Sequence, residues 1–267
     1  MTCRALDMIP AIIPYYKNTS QLTRCISHLE AQTVPVDIFI RNNDEDNVYF
    51  TSAINEGIKQ YLGRSCQYLL VLNQDMYLEP TAVERMTEFM DSHPRCGIGA
   101  PLQLHSRNPA YAIFAGGRQA FPMGKHTCGD LKEFTRDQQI PWANGACMIL
   151  RKEMIQEIGL WDQNYVLIGS DSDYSFTARS RGWQVWRIAS AKGIHEQGAA
   201  GRLCDRNIEL IKIKDMIYFG QKWLTGDLYK RLSSEDEPLS PNEIEDMMSQ
   251  LHETRTELER SFEQAIR

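Results

Sequence analysis

The sequence predicts an α/β fold: a Rossmann-like, mostly parallel central sheet with helices on both faces, followed by C-terminal helices. Three observations carry this. Short apolar runs alternate with amphipathic stretches through roughly the first hundred residues, which is the β-α-β pattern of a parallel sheet. Each run ends in a polar loop. The run Tyr68-Leu69-Leu70-Val71-Leu72 leads straight into Asn73-Gln74-Asp75, so a carboxylate sits at the carboxyl end of a buried strand, where open α/β sheets bind ligands.

Taken in order, Ala11-Ile12-Ile13 is the first strand, and Pro14-Tyr15-Tyr16-Lys17-Asn18 leaves it. Ser20 is placed to cap a helix reaching Ala31, with Leu22, Cys25, Ile26 and Leu29 on one face. Val36–Ile40 is the second strand and opens on Arg41-Asn42-Asn43-Asp44; a helix then spans Val48 to Leu62. Beyond the strand ending at Leu72, Pro80 suits the first turn of a helix from Thr81 to Met90, and Gly97-Ile98-Gly99-Ala100 is a fourth short strand. Right-handed crossovers gather Pro14–Asn18, Arg41–Asp44 and Asn73–Asp75 at one end of the sheet, as a nucleotide site requires. A carboxylate oxygen suits a hard divalent cation, so Asp75 is read as holding a metal against a diphosphate. The plain alternative is that Asn73 and Asp75 only form a turn or cap.

The stretch Leu102–Ile140 contains Gly116-Gly117, Pro122, Gly124 and Gly129, and reads as hairpins and loops over the active end of the sheet. Trp142–Leu150 reads as a buried strand, Lys152–Ile158 as a helix stopped by Gly159, and Asp171–Ser180 as a helix stopped at Gly182. Gln184–Ile188 is a last strand leading toward His195. Residues 1–204 are thereby expected to form the sheet domain and 205–267 a helical extension. In the extension, Arg206–Trp223 is a helix, Ser233–Leu239 a polar linker, and Ser240-Pro241-Asn242-Glu243 a helix start with a capping box. The stripe Ile244, Met248, Leu251, Leu258, Phe262 and Ile266 is expected to pack on its own domain, with homo-oligomer formation through the C-terminal helices as the alternative.

A net charge of -6 and a pI near 5.6 argue against a nucleic-acid binder. The 7 cysteines are scattered, with no C-x-x-C pair, which suggests neither a disulfide framework nor a zinc site and fits a reducing cytoplasm. No run approaches the ~20 apolar residues of a membrane span. The expected location is cytoplasmic, with peripheral contact at the inner face of a membrane, through the lysines of Arg206–Trp223, as the most that is anticipated.

Four stretches carry a family resemblance: Ile12-Ile13-Pro14-Tyr15-Tyr16, Asn55-Glu56-Gly57-Ile58, Leu72-Asn73-Gln74-Asp75, and the block from Asn144 to Gly198. That block holds an NG strand, a helix, a G-x-[FW]-D turn, an acidic motif, an R-x-x-G and a late histidine in order. Together they resemble the inverting glycosyltransferases of family 2, with the GT-A fold, and especially the branch that includes rhamnosyltransferase-like enzymes. The resemblance covers about residues 8–200 and leaves the C-terminal helices outside. It implies transfer of one sugar from a nucleotide-diphosphate sugar to a hydroxyl of a glycan or lipid-linked acceptor.

The resemblance also implies roles. Asp75 matches the last aspartate of the D-x-D motif, which ligates Mn²⁺ or Mg²⁺, and Asn73 takes the first position, supporting through hydrogen bonds to ribose or water. Asp171 corresponds to the catalytic aspartate, which would take the acceptor's proton, while Ser170 replaces the preceding glutamate. Asp173 is the rival base, or supports the acceptor or the loop; the plain alternative for Asp171 is a helix cap. His195 stands where a late histidine completes metal coordination, and an imidazole nitrogen suits Mn²⁺ better than Mg²⁺. Pro14, Tyr15, Tyr16, Asn43 and Asp44 would lie along the nucleotide, with Asn55 bracing the loops. Arg41 and Asn42 compete for the aspartate that usually follows the second strand, so UDP-, dTDP- and GDP-linked donors all stay open. Trp142, Asn144 and Gly145 would wall the sugar pocket, Trp142 having plain core as its alternative. His28, His93, His105, His126 and His252 have no comparable setting and receive no role. Two rivals remain. A sugar-nucleotide pyrophosphorylase would need a Gly-rich phosphate loop with a basic residue, which Pro14-Tyr15-Tyr16 is not; a non-catalytic glycan- or nucleotide-binding module could keep the fold.

Overall fold

Apolar, β-branched residues make the first strand, β1 (Ile9–Tyr15), a buried strand between two others, and the chain then alternates as its pattern dictates. α1 (Thr19–Glu30), β2 (Val36–Asn42), α2 (Tyr49–Leu62), β3 (Tyr68–Leu72), β4 (Met76–Leu78), α3 (Ala82–Ser92) and β5 (Cys96–His105) follow. Next come β6 (Asn108–Phe114), β7 (Gly129–Asp130), β8 (Gln138–Gln139), β9 (Cys147–Arg151), α4 (Lys152–Ile158), α5 (Ser170–Ser180) and β10 (Gln184–His195). The helices α6 (Arg206–Trp223) and α7 (Pro241–Ile266) end the chain. This computed structural model describes residues 8–118, 124–196, 206–224 and 239–266, with side chains as far as 261.

The sheet runs in the order β2-β1-β3-β9-β5-β10-β4. β2, β1, β3, β5 and β10 point one way and β9 and β4 the other, so the sheet is mostly parallel. The strand β9 enters beside the carboxyl end of β3, with Cys147 opposite Leu72, and runs back antiparallel to Arg151 opposite Tyr68. The residues just before it therefore cross the end of the sheet where Asn73 and Asp75 lie. Residues of β3 alternate between the two faces: Leu69 and Val71 face the core shared with α2 and α5, Leu70 and Leu72 the core shared with α1 and α3.

Several elements differ from the sequence reading. Helix α1 is capped by Asn18, not Ser20: the Asn18 carboxamide accepts the Gln21 N–H at 3.1 Å, after Lys17 takes a left-handed turn at φ 58°. Helix α3 starts at Ala82, past Pro80, and its Val83 N–H is satisfied by the Gln32 side chain at 3.0 Å. Of Trp142–Leu150, only the part from Cys147 onward pairs as strand. Strand β10 does not stop at Ile188; past a register shift it continues to His195, because β4 offers it an antiparallel edge.

Phe219 and Trp223 of α6 belong to the same core as Ile12, Val71 and Phe176. Ile244, Met247, Met248 and Leu251 of α7 pack against that core, so the first half of the amphipathic stripe is covered by its own chain. The side chains of Phe262 and Ile266, the linker over 233–238 and the segment 197–205 lie outside the described residues. Ser240 and Glu243 form the expected capping box, each accepting the other's backbone N–H, at 3.3 and 2.8 Å. Among the described residues no helix is long and apolar enough to cross a membrane.

Candidate active site

The carboxyl ends of β1, β2 and β3 are stitched into one surface. The Tyr16 N–H donates to the Gln74 carboxamide oxygen at 2.7 Å, and the Gln74 NH₂ returns a bond to the Tyr16 carbonyl at 3.3 Å. The Lys17 N–H donates to Asp44 at 2.6 Å, and the Asn43 N–H to the Tyr15 carbonyl at 2.9 Å. Pro14 is the last but one residue of β1, and the Tyr15 hydroxyl meets the Thr19 hydroxyl at 3.0 Å. Tyr16 is left exposed, while the Asn43 side-chain oxygen is buried without a hydrogen-bond partner among the described residues. Arg41 ion-pairs with Asp46 and Glu56, both at 2.8 Å, and also donates to the Asn42 carbonyl, while the Asn42 side-chain oxygen accepts the Asp44 N–H at 2.9 Å.

Next to that surface, β4 pairs with the end of β10 so that Met76 lies opposite His195. This brings Asp75 Oδ1 within 3.4 Å of His195 Nε2, and the Glu196 N–H donates to the Asp75 carbonyl at 3.0 Å. Both side chains are largely buried, at 8% and 13% exposure. A carboxylate oxygen and an imidazole nitrogen at this separation can share one divalent cation, and the mixed O/N set suits a transition-series ion. Among the described residues no cluster of three or more His, Cys, Asp or Glu side chains forms a metal site. The remaining coordination would fall to a ligand's oxygens and water.

A cavity of about 260 Å³ opens beside this pair, and its lining includes Asn73, Trp142, Asn144, Gly145, Asp171 and His195. Trp142 is buried, and Gly117 must lack a side chain because a Cβ there would meet the indole at 2.0 Å. Asn144 makes a reciprocal amide pair with buried Gln103, its NH₂ donating at 3.2 Å. Gly145 has no room for a side chain either, since a Cβ would come within 2.6 Å of the Phe50 ring.

Asp171, half-buried at the start of α5, is held through both oxygens. It accepts the Gly145 N–H at 2.8 Å and the Ser172 N–H at 2.8 Å. Burial pushes its carboxyl above the usual carboxylate range, although the two N–H bonds oppose the rise. A partly desolvated carboxylate of raised basicity, aimed by backbone donors and open to a cavity, is equipped to take a proton. Asp173 has a different environment. Only 2% exposed, it accepts from Trp223 Nε1 at 2.7 Å and from the Tyr165 hydroxyl at 3.1 Å, and pairs with Lys222 at 2.8 Å. Asn55 is also inside, exchanging two hydrogen bonds with the backbone of Trp161, at 2.8 and 2.9 Å.

A family model described as "Glycosyltransferase like family 2" matches residues 16–201. The chain belongs to glycosyltransferase family 2. Relatives of this glycosyltransferase include the N-acetylglucosaminyl-diphospho-decaprenol L-rhamnosyltransferase of Mycobacterium tuberculosis, 20% identical over 236 residues, covering 72% of this chain and 76% of the relative. Its fold is similar to that of GalNAc-T7, crystallised with UDP, GalNAc and Mn²⁺, at a TM-score of 0.62 and 13% identity. That match covers 94% of this chain and 55% of the GalNAc-T7 chain. A197 from STIV matches at a TM-score of 0.50 and 11% identity, over 72% of this chain and 87% of that one.

Three features of this family 2 glycosyltransferase were missing from the sequence reading. His126 lines the cavity, its ring 5.6 Å from that of Trp142 and 4.9 Å from that of Phe114. It lies in a Gly-rich stretch without periodicity; the isolated bridge between Gly117 and His126 that places it leaves no sequence pattern. Gln74, in the middle of the Asn73–Asp75 loop, is the clamp on Tyr16. Phe50, at the start of α2, reaches over Gly145. An aromatic residue in an amphipathic helix reads as ordinary core, so nothing local marked it.

Proposed function

We propose that this glycosyltransferase is a metal-dependent, inverting enzyme that moves one sugar from a nucleotide-diphosphate donor to a hydroxyl of a glycan or lipid-linked acceptor. The observation that carries this reading is that Asp171 and His195 line one sugar-sized cavity, with Asp75 beside His195. In this account the nucleotide lies along Pro14, Tyr15 and Tyr16, and Asn43 and Asp44 meet its base and ribose. The buried, unpartnered oxygen of Asn43 supports a polar ligand there, since such an atom is costly to leave unsatisfied. Asn55 acts from behind, by fixing the Trp161 backbone.

Asp75 and His195 would hold the divalent cation, Mn²⁺ by preference because one donor is nitrogen. When bound, it would neutralise the charge that grows on the departing diphosphate. The protein's own residues supply the rest. Trp142, Asn144 and Gly145 seat the donor sugar, and Asn73 supports the ribose. Asp171 accepts the acceptor hydroxyl's proton as that oxygen attacks the anomeric carbon from the face opposite the diphosphate, and the bond to the diphosphate breaks with inversion. Asp173, tied to Lys222, Trp223 and Tyr165, braces α5 beneath the base. The relative from M. tuberculosis is named for a diphospho-decaprenol acceptor, which supports a lipid-linked acceptor here. GalNAc-T7 was crystallised with a nucleotide and Mn²⁺, which supports the donor class and metal.

A thermal-shift screen of UDP, dTDP and GDP, each with and without Mn²⁺, tests the reading. One nucleotide should raise the melting temperature only with metal. If none does, a non-catalytic glycan-binding module becomes the better account.

A further inference from the structure

The segment 162–173 carries Asp171 and much of one cavity wall, including Leu167, Ile168, Gly169 and Ser170. Before α5 begins it has no helix or strand of its own, and Gly169 passes through a left-handed conformation at φ 78°. Backbone N–H groups in such a segment need partners outside regular structure; Asp162 takes those of Asn164 and Tyr165, and α6 takes the next three. The Asp215 carboxylate accepts three consecutive backbone N–H bonds, from Val166 at 3.0 Å, Leu167 at 2.8 Å and Ile168 at 2.9 Å. Asp215 is only 2% exposed, and these three N–H bonds offset the cost of burying its carboxylate. The same helix grips both ends of the segment. Lys222 pairs with Asp162 and with Asp173, each at 2.8 Å, and the Tyr218 hydroxyl donates to Asp162 at 2.9 Å.

The helix α6 lies outside the 16–201 stretch matched by the family model, yet it holds the start, middle and end of the segment that presents Asp171. We infer that α6 is a working part of the active site and that Asp215 is a positioning residue for Asp171. The inference rests on the reading of Asp171 as the base. The Tyr16–Gln74, Lys17–Asp44 and Asn43–Tyr15 hydrogen bonds tie the loops after β1, β2 and β3 to one another, none of them through α6. Loosening the 166–168 backbone should therefore misplace the base and the cavity wall while leaving the nucleotide surface intact. A displacement near 1 Å at a reacting group costs about 100-fold in rate.

The test uses the full chain with Mn²⁺ and whichever of the UDP-, dTDP- or GDP-linked sugars the wild type turns over. Nucleoside diphosphate release gives kcat, and calorimetry with the free nucleotide gives Kd. Asp215→Ala should lower kcat by about 100-fold with Kd for the nucleotide unchanged. Asp215→Asn should fall between the two, because its one oxygen can still accept the Leu167 and Ile168 N–H groups while its NH₂ opposes that of Val166. If Asp215→Ala does not fold, Asp215→Asn carries the comparison alone. Full wild-type kcat in the folded variant, or a kcat loss matched by lost nucleotide binding, overturns the inference. A wild type that binds no nucleotide overturns the glycosyl-transfer reading itself, and this inference with it.

Discussion

Asp75 Oδ1 and His195 Nε2 stand 3.4 Å apart because β4, immediately after Asp75, pairs antiparallel with the last residues of β10. The short strand Met76-Tyr77-Leu78 is thus what converts two distant residues into a candidate cation site. Removing either side chain should abolish or sharply weaken Mn²⁺-dependent nucleotide binding. For His195→Ala the expected loss in nucleotide Kd is at least 10-fold, since even outer partners of bound metals are worth about 10- to 100-fold. EDTA should remove nucleotide binding from the wild type in the same calorimetric assay, and added Mn²⁺ should restore it.

The pH dependence follows from Asp171. Its carboxyl is raised by burial, so the acid limb of the kcat profile should lie above the ordinary carboxylate range. Activity is expected to fall as pH drops through this raised value, because protonated Asp171 cannot accept a proton. For stability the sign is opposite. Between the unfolded and the raised folded value the native state binds more protons, so the contribution of Asp171 to stability declines as pH rises through that window. A pH–rate profile with an acid limb at or below that of a free carboxylate would remove Asp171 as the base.

Gly145 places its N–H 2.8 Å from Asp171, and a Cβ there would lie 2.6 Å from Phe50 Cζ. Gly145→Ala should therefore displace either the ring or the strand-end loop and lower kcat. Phe50→Leu removes the colliding ring atoms, so the double variant should recover part of the rate lost by Gly145→Ala. Non-additivity in this cycle, read from kcat, is the expected signature of two residues in contact.

Two substitutions should act on stability. Asn55→Ala strands the Trp161 N–H and carbonyl in the core and should cost about 2–3 kcal/mol in denaturant unfolding. Lys222→Met leaves Asp173 buried without its cation. Burial lowers the Lys222 pKa, but Asp173 and Asp162 outweigh it and hold the ammonium above its ordinary range. Breaking such a buried pair from one side costs about 3–5 kcal/mol. A loss well under about 1 kcal/mol would mean that water reaches Asp173 in the variant.

Much of this fold was legible because it is written locally. Apolar runs marked β1, β2 and β3, and glycines at 159 and 182 marked the ends of α4 and α5. What escaped depends on pairing between distant segments. Nothing in Met76-Tyr77-Leu78 announces a strand until β10 lies beside it, and nothing in Trp142–Ala146 says that pairing begins only at Cys147. The candidate site divides the same way. Its loops could be read from the ends of the strands, whereas the cavity's aromatic wall of Phe50 and His126 comes from elements that meet only in the folded chain. The partners of Asp173 were hidden for the same reason, since Lys222 and Trp223 approach it from another helix.

The central claim is that Asp171 is the base opposite a nucleotide held on the other strand ends. The measurement that tests it most directly compares nucleotide binding with turnover in Asp171→Asn, using Mn²⁺ and the sugar donor accepted by the wild type. The account predicts wild-type nucleotide affinity together with a loss of about 100- to 10,000-fold in kcat. Retained turnover in Asp171→Asn would contradict it.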